Sequence, residues 1–173
     1  MISIKNIKTL EDLKEERINL INQLEHLKLL KSEQLYEMTV KLMRSIQEYL
    51  KPYGLDVYES NNQSSKGFVA NYKNGYLRGE VAVNSNILNI IFNANVIETI
   101  EVLPKPTHTF YMQGISVEED IFSSEILNLD AEIKEIKDEI KAYEKLDVVY
   151  VVKSEETDTT LLNEVDVQKY LFK

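Results

Sequence analysis

The sequence predicts an α+β fold in which two long helices, paired as an antiparallel coiled coil, flank an antiparallel β-meander of about five or six strands. The helices are predicted by two stretches rich in leucine and isoleucine, with apolar residues at every third or fourth position. Between these stretches, the dipeptide Asn74-Gly75 is flanked by two runs of β-forming residues, which is a strong hairpin signal. The 173 residues are expected to form a single domain.

The first helix is predicted over residues 9–51. Thr9 is placed at its N-cap, and Pro52 is expected to end it. Its leucines follow a heptad pattern, but the step from Leu27 to Leu35 is one residue longer than a heptad. This shift predicts either a local unwinding of the helix pair or a bend near Lys31.

The second helix is predicted over residues 116–146, where Ser116 and Glu119 have the spacing of a capping box. The two apolar stripes are predicted to meet in a seam of eight residues: Leu20, Leu24, Leu27, Ile126, Leu129, Ile133, Ile136 and Ile140. The first helix is longer than the second and would expose apolar residues where it overhangs. This overhang predicts a homodimer.

The β-meander is predicted over residues 55–114, followed by a strand and a short C-terminal element in 147–173. A turn at Asn74-Gly75 predicts that Tyr72 lies opposite Leu77 and that Phe68 lies opposite Val81. Strand alternation separates an apolar face from a mostly polar one. Four residues of the polar face are predicted to form a protein interface: Val69, Tyr76, Arg78 and Glu80.

Composition and charge set limits on function. The formal net charge of −9 argues against a sequence-independent nucleic-acid binder and against docking on an anionic membrane. The absence of cysteine excludes disulfides and thiolate metal ligands. The chain has no apolar run long enough to span a membrane, and its first residues lack the apolar core of a secretory signal. A cytoplasmic protein is expected, and the heavy use of Ile, Lys and Asn suggests a bacterial, phage or mobile-element gene.

No constellation of residues in the sequence indicates catalysis. The two histidines, His26 and His108, have no partner at a metal-ligand spacing, and the five glycines form no phosphate-binding loop. No catalytic residue, metal or cofactor is therefore predicted, and the protein is not expected to be an enzyme.

The leading hypothesis is a non-enzymatic protein–protein interaction module: an adaptor, a chaperone or an inhibitor of another protein. Ten tyrosines support it, because tyrosine combines a large apolar area with a polar tip and is favoured at interfaces. One alternative is a nucleotide-like small-ligand binder that uses Tyr58, Tyr72, Arg78, His108 and Tyr111. A second alternative is an acidic DNA mimic, supported by acidic residues within 118–120, 155–158 and 164–166 and at position 125.

Overall fold

The structure is a computed structural model that describes residues 4–107 and 122–172. It is an α+β protein with a long N-terminal helix and a seven-stranded antiparallel sheet. The helices are α1 (Ile4–Leu50), α2 (Ser123–Lys145) and α3 (Glu164–Leu171). The strands are β1 (Asp56–Glu59), β2 (Ser65–Tyr72), β3 (Gly75–Ala82), β4 (Ile87–Phe92), β5 (Asn95–Pro104), β6 (Val148–Val152) and β7 (Thr159–Leu161).

The chain divides into two compact units. The described part of the helical unit is 4–30, 105–107 and 122–147, and that of the sheet unit is 31–104 and 148–172. Helix α1 is continuous and contributes to both units, with the boundary between Leu30 and Lys31. The heptad shift in the sequence falls at this boundary, because the helix exchanges one set of packing partners for another there.

In the helical unit, α2 packs against the first half of α1. The centre of the contact is a buried cluster of Leu24, Ile136 and Ile140. Four partly buried side chains surround it: Leu20, Ile21, Leu27 and Tyr143. Burial of these stripes is what holds the two helices together, because apolar area removed from water is the main favourable term in helix packing.

The two helices run parallel, so the predicted antiparallel pairing is wrong. Four ion pairs between described residues join them: Lys14–Glu125 at 3.6 Å, Glu16–Lys137 at 2.6 Å, Arg17–Glu132 at 2.7 Å and Lys28–Glu139 at 3.0 Å. From the first of these pairs to the last, the residue numbers rise on both helices. The chain after β5 explains the polarity: the amide of Lys105 donates to the carbonyl of Asp147, and the hydroxyl of Thr107 donates to the carbonyl of Asp138. This segment therefore runs back along α2 before α2 begins.

Helix α1 differs from the prediction mainly at its N-terminal end. The helix begins at Ile4, and Thr9 lies inside it, because residues 4–8 contain no helix breaker and extend the turn pattern. At the C-terminal end, α1 stops at Leu50, one residue before the predicted end, and is followed by a 3-10 turn, Lys51–Tyr53, and by Gly54 with φ 74°. In α2 the helix begins at Ser123 within the described residues, whereas the Ser116–Glu119 capping box lies outside them.

The sheet is a meander in which the strands are neighbours in chain order from β1 to β7. It has more strands than predicted because two short edge strands, β1 and β7, were too short to give a clear alternation. The last part of the predicted meander, residues 108–114, lies outside the described residues, and 105–107 are not in a strand.

The predicted register of the β2–β3 hairpin is wrong by two residues. Tyr72 lies opposite Gly75 and Phe68 lies opposite Gly79, so the turn is at Lys73-Asn74. Lys73 adopts the left-handed backbone conformation, with φ 53°. The register is favoured because a Cβ at position 79 would lie 2.3 Å from Cε1 of Phe68, so the ring occupies space that only glycine leaves open. A shift of two preserves the faces, so the predicted division into two faces is confirmed.

The second half of α1 covers the apolar face of the sheet, here called the helix face. Leu42 and Ile46 of α1 and Phe68 of β2 are fully buried. The Nζ of Lys66 on this face lies 5.6 Å from the ring centroid of Tyr36 on α1, and Gln168 of α3 donates to the hydroxyl of Ser45 at 2.7 Å. The part of α1 that was predicted to overhang is therefore buried within the chain.

Candidate protein-interaction surface

The four predicted interface residues lie together on the face of the sheet opposite to the helix face. Val69 of β2 lies directly opposite Arg78 of β3, and Tyr76 and Glu80 flank Arg78 at two-residue spacing. Residues two apart in a strand project from the same face. We call this surface the open face and define it by Tyr58, Val69, Tyr76, Arg78, Glu80 and Ile91.

Arg78 is the electrostatic centre of the open face. Its Nη2 lies 2.9 Å from Oε1 of Glu80, and both side chains retain about a third of their exposure or less. Its Nε is buried and has no hydrogen-bond partner in the described part of the chain. The guanidinium is thus held in place by one carboxylate, and its five N–H donors exceed what that carboxylate can use.

Two tyrosines lie near Arg78, one on either side of β2. Tyr58 of the edge strand β1 is exposed, and its hydroxyl accepts a long contact of 3.4 Å from the amide of Asn71. Tyr76 is partly buried, and its backbone N–H donates to Oδ1 of Asn93 at 3.1 Å. Both tyrosines therefore offer a large ring on a strand whose backbone is held by pairing with its neighbour, and such residues are typical of interfaces.

The open face extends to Ile91 of β4, which the sequence prediction of the interface omitted. Ile91 lies directly opposite Arg78 and is partly buried. The sequence does indicate an apolar residue at this place, because β4 carries apolar residues on both of its faces. Toward β6 the same face of the sheet is inaccessible to solvent, because Val149 and Val151 are almost fully buried.

Three residues of the predicted ligand site lie in the described part of the chain, and these three are not all brought together. Tyr58 and Arg78 share the open face, but Tyr72 projects from the side of the helix face and is exposed at the end of β2. His108 and Tyr111 lie outside the described residues.

The eight predicted seam residues lie in the helical unit of a single chain. Leu24, Ile133, Ile136 and Ile140 are buried, and the other four are partly buried, namely Leu20, Leu27, Ile126 and Leu129. Beside the seam lies a groove of about 480 Å³, lined by Lys14, Arg17, Ile18, Glu125, Asn128, Leu129 and Glu132. Its charged groups are already joined in ion pairs across the helices.

Two features of the titratable groups in residues 4–107 and 122–172 bear on a possible site. His26 is exposed on α1, and no group of three His, Asp or Glu side chains in these ranges is arranged to hold a metal ion. Burial raises the pKa of Tyr150 to about 12, with a smaller contribution from the charge of Glu164. No described helix has the length and apolarity required to cross a bilayer.

Comparisons with protein-family models, with curated proteins and with solved structures give no match to this chain.

Proposed function

We propose that this chain is a non-enzymatic cytoplasmic module that binds another protein through the open face of its sheet, as an adaptor, a chaperone or an inhibitor. The observation that carries the proposal is the position of Val69, Tyr76 and Arg78 beside one another on an accessible sheet surface. Tyrosine and arginine are enriched among the residues that contribute most to binding energy at interfaces.

The ion pair between Arg78 and Glu80 strengthens the proposal. A long cationic side chain loses rotamer freedom on binding, and this loss costs affinity. Because Glu80 already holds the guanidinium at 2.9 Å, much of that freedom is lost before the partner arrives. The surface is therefore partly preorganised for a partner that presents a carboxylate or a carbonyl oxygen.

Neither alternative function has equal support. The small-ligand hypothesis needs Tyr72 beside Arg78, and the two lie on opposite faces. The DNA-mimic hypothesis needs unpaired carboxylates massed on one surface. Three acidic residues that support it are paired with lysines instead: Glu125 with Lys14, Asp158 with Lys153 and Glu164 with Lys41.

The test is a comparison of two double variants. The tagged chain is used to capture its partner from cells that produce it, and the partner is identified by mass spectrometry and purified. Tyr76→Ala with Arg78→Ala is expected to weaken binding of this partner by at least about 100-fold, which is the loss typical of removing two interface hot spots.

The control variant is Tyr53→Ala with Lys51→Ala, which removes the same kinds of group from an exposed site in the same unit. This variant should bind like the wild type. Both variants should keep the wild-type circular dichroism melt. Wild-type affinity in the Tyr76→Ala, Arg78→Ala double variant would contradict the proposal.

We also propose a homodimer, formed by an exposed flank of α1 because the seam is used within the chain. Ile7, Ile18 and Leu29 are exposed and are spaced eleven residues apart, which is about three helical turns. Equal spacing about Ile18 makes this line self-complementary across a two-fold axis.

Light scattering should give twice the chain mass of 20.1 kDa, and Ile18→Glu should restore a single chain mass. A wild-type protein that scatters as one chain would contradict the dimer.

A further inference from the structure

The dipeptide Asn74-Gly75 lies at the exposed turn that joins β2 to β3, and it is the one asparagine–glycine pair in the sequence. The turn residues are Lys73 and Asn74, both exposed, and Gly75 is the first residue of β3, opposite Tyr72. An asparagine side chain is attacked most readily by the next backbone nitrogen when the next residue is glycine, because glycine has no Cβ to crowd that nitrogen. The pair is therefore a candidate for chemical modification.

The side chain of Asn74 makes no hydrogen bond within residues 4–107 and 122–172. The neighbouring turn, which joins β4 to β5, provides a contrast. There Oδ1 of Asn93 accepts from the backbone N–H of Tyr76 at 3.1 Å, and the backbone N–H of Asn93 donates to the carbonyl of Tyr76 at 3.2 Å. Asn93 is held at both groups, whereas the amide of Asn74 is free to turn toward the backbone nitrogen of Gly75.

We expect the backbone around Asn74 to open easily. Lys73 has φ 53°, a left-handed conformation that residues with a side chain rarely adopt. The pair of Tyr72 with Gly75 is the last one of the β2–β3 ladder, and Tyr72 is 58% exposed. The exposed end of a ladder opens with a free energy far below that of global unfolding. The nitrogen of Gly75 therefore becomes available for reaction while the sheet stays folded.

We infer that Asn74 is a site of spontaneous deamidation. The nitrogen of Gly75 attacks Cγ of Asn74, the new N–Cγ bond closes a cyclic imide, and the Cγ–Nδ2 bond breaks. The leaving nitrogen takes the proton of the Gly75 amide and departs as ammonia. Water, the one co-reactant, then opens the imide: attack at Cγ gives aspartate, and attack at the backbone carbonyl gives isoaspartate.

The reaction changes both the charge and the shape of the turn. It adds one carboxylate, so the formal net charge of the chain goes from −9 to −10. Isoaspartate also lengthens the backbone of the turn by one methylene. Asn74 lies two residues before Tyr76, so either product alters the turn that leads into the open face. The inference does not depend on the proposed function.

The experiment incubates the full chain in neutral and in mildly alkaline buffer and then digests it with trypsin, which cuts after Lys73 and Arg78. Mass spectrometry of the peptide 74–78 measures the conversion of the amide to an acid, and an unincubated sample corrects for reaction during digestion. The converted fraction should grow with time, and faster at the higher pH, because the attacking nitrogen must lose its proton.

Gly75→Ala should slow the reaction of Asn74 at least about tenfold, because the added methyl crowds the attacking nitrogen. A Cβ at position 75 meets only ordinary contacts, the nearest being Cε2 of Phe92 at 3.6 Å, so this variant should keep the wild-type circular dichroism melt. An unchanged rate in Gly75→Ala would overturn the inference. So would an Asn74 that reacts in the chain unfolded by urea and does not react in the folded chain.

The matched control is Ala94→Gly, which places an asparagine–glycine pair in the turn between β4 and β5. Ala94 has φ 71°, a conformation that glycine adopts without strain. In this variant Asn93 should react about fivefold or more slowly than Asn74 of the same molecule, because its side chain must first leave the N–H of Tyr76. Equal reaction at the two asparagines would overturn the inference that the structure directs the reaction to Asn74.

Discussion

Gly79 determines the pairing of β2 with β3 through the side chain it lacks. The ring of Phe68 lies where a Cβ at position 79 would be, at 2.3 Å from Cε1. Gly75, in the same strand, has more room, because its nearest neighbour is Cε2 of Phe92 at 3.6 Å. The two glycines are therefore a matched pair for testing how tightly the hairpin is packed.

Gly79→Ala is expected to lower the free energy of unfolding by about 1 to 3 kcal/mol, because the added methyl overpacks the buried Phe68 ring. Gly75→Ala is expected to change it by about 0.5 kcal/mol or less, because its methyl meets only an ordinary van der Waals contact. Denaturation by urea measures both values. Equal losses in the two variants would show that Phe68 does not set the register.

Tyr150 gives the sheet unit a dependence on pH at the alkaline end. Burial raises its pKa to about 12, from 10 in the unfolded chain. Between these values the unfolded state releases a proton that the folded state keeps, so the folded state loses stability as pH rises. Relative to Tyr150→Phe, the wild type should lose on the order of 2 kcal/mol from pH 9 to pH 12. A constant difference between the two proteins across this range would contradict the assignment.

At the scale of elements, the pairing of α1 with α2 depends on a few buried side chains. Leu24 is 5% exposed in the seam, whereas Leu30 is 62% exposed in the same helix. Leu24→Ala is expected to cost about 2 to 4 kcal/mol because it leaves a cavity, and Leu30→Ala about 0.5 kcal/mol or less. The helical signal in circular dichroism during denaturation measures both. Equal losses of stability in the two variants would mean that Leu24 does not belong to the contact between the helices.

The parallel direction of the helix pair can be tested with cysteines, because the chain has none of its own. Arg17→Cys with Glu132→Cys replaces the two ends of an ion pair and should cross-link through a short bifunctional thiol reagent, which spans the gap left by the two long side chains. Arg17→Cys with Lys141→Cys should not, since nine residues of helix separate position 141 from 132, or about 13 Å. Cross-linking of the second pair in preference to the first would indicate antiparallel helices.

Much of this architecture could be predicted from periodicity, but the direction of the helices could not. The stripes of Leu24 and Ile136 have the same spacing whichever way the helices run, so the polarity is carried by the connection after β5. The division of the sheet into two faces follows from alternation and is independent of a two-residue shift. The register itself depended on the contact between Phe68 and Gly79, which no local pattern shows.

The candidate interface could be predicted in part for the same reason. Tyr76 and Arg78 are two residues apart in β3, and a short hairpin turn places Val69 on the same face, so this common face follows from the sequence. The position of Ile91 opposite Arg78 required the pairing of β3 with β4, and the nearness of the two turns required the contact between Asn93 and Tyr76. These are contacts between segments, and they appear only when the strands are aligned.

At the scale of the whole molecule, the chain carries 20 cationic and 29 acidic side chains, for a formal net charge of −9. A net charge of this size favours solubility and limits non-specific association. Under the proposed function, recognition of a partner then depends on the open face, where Arg78 is paired with Glu80.

The most direct test of the open face as the binding surface is photo-crosslinking. A benzophenone amino acid is placed at position 76 on the open face and, in a second protein, at the more exposed position 53, which lies outside that face. We expect a covalent adduct with the partner protein from position 76 and none from position 53. An adduct from position 53 with none from position 76 would contradict it.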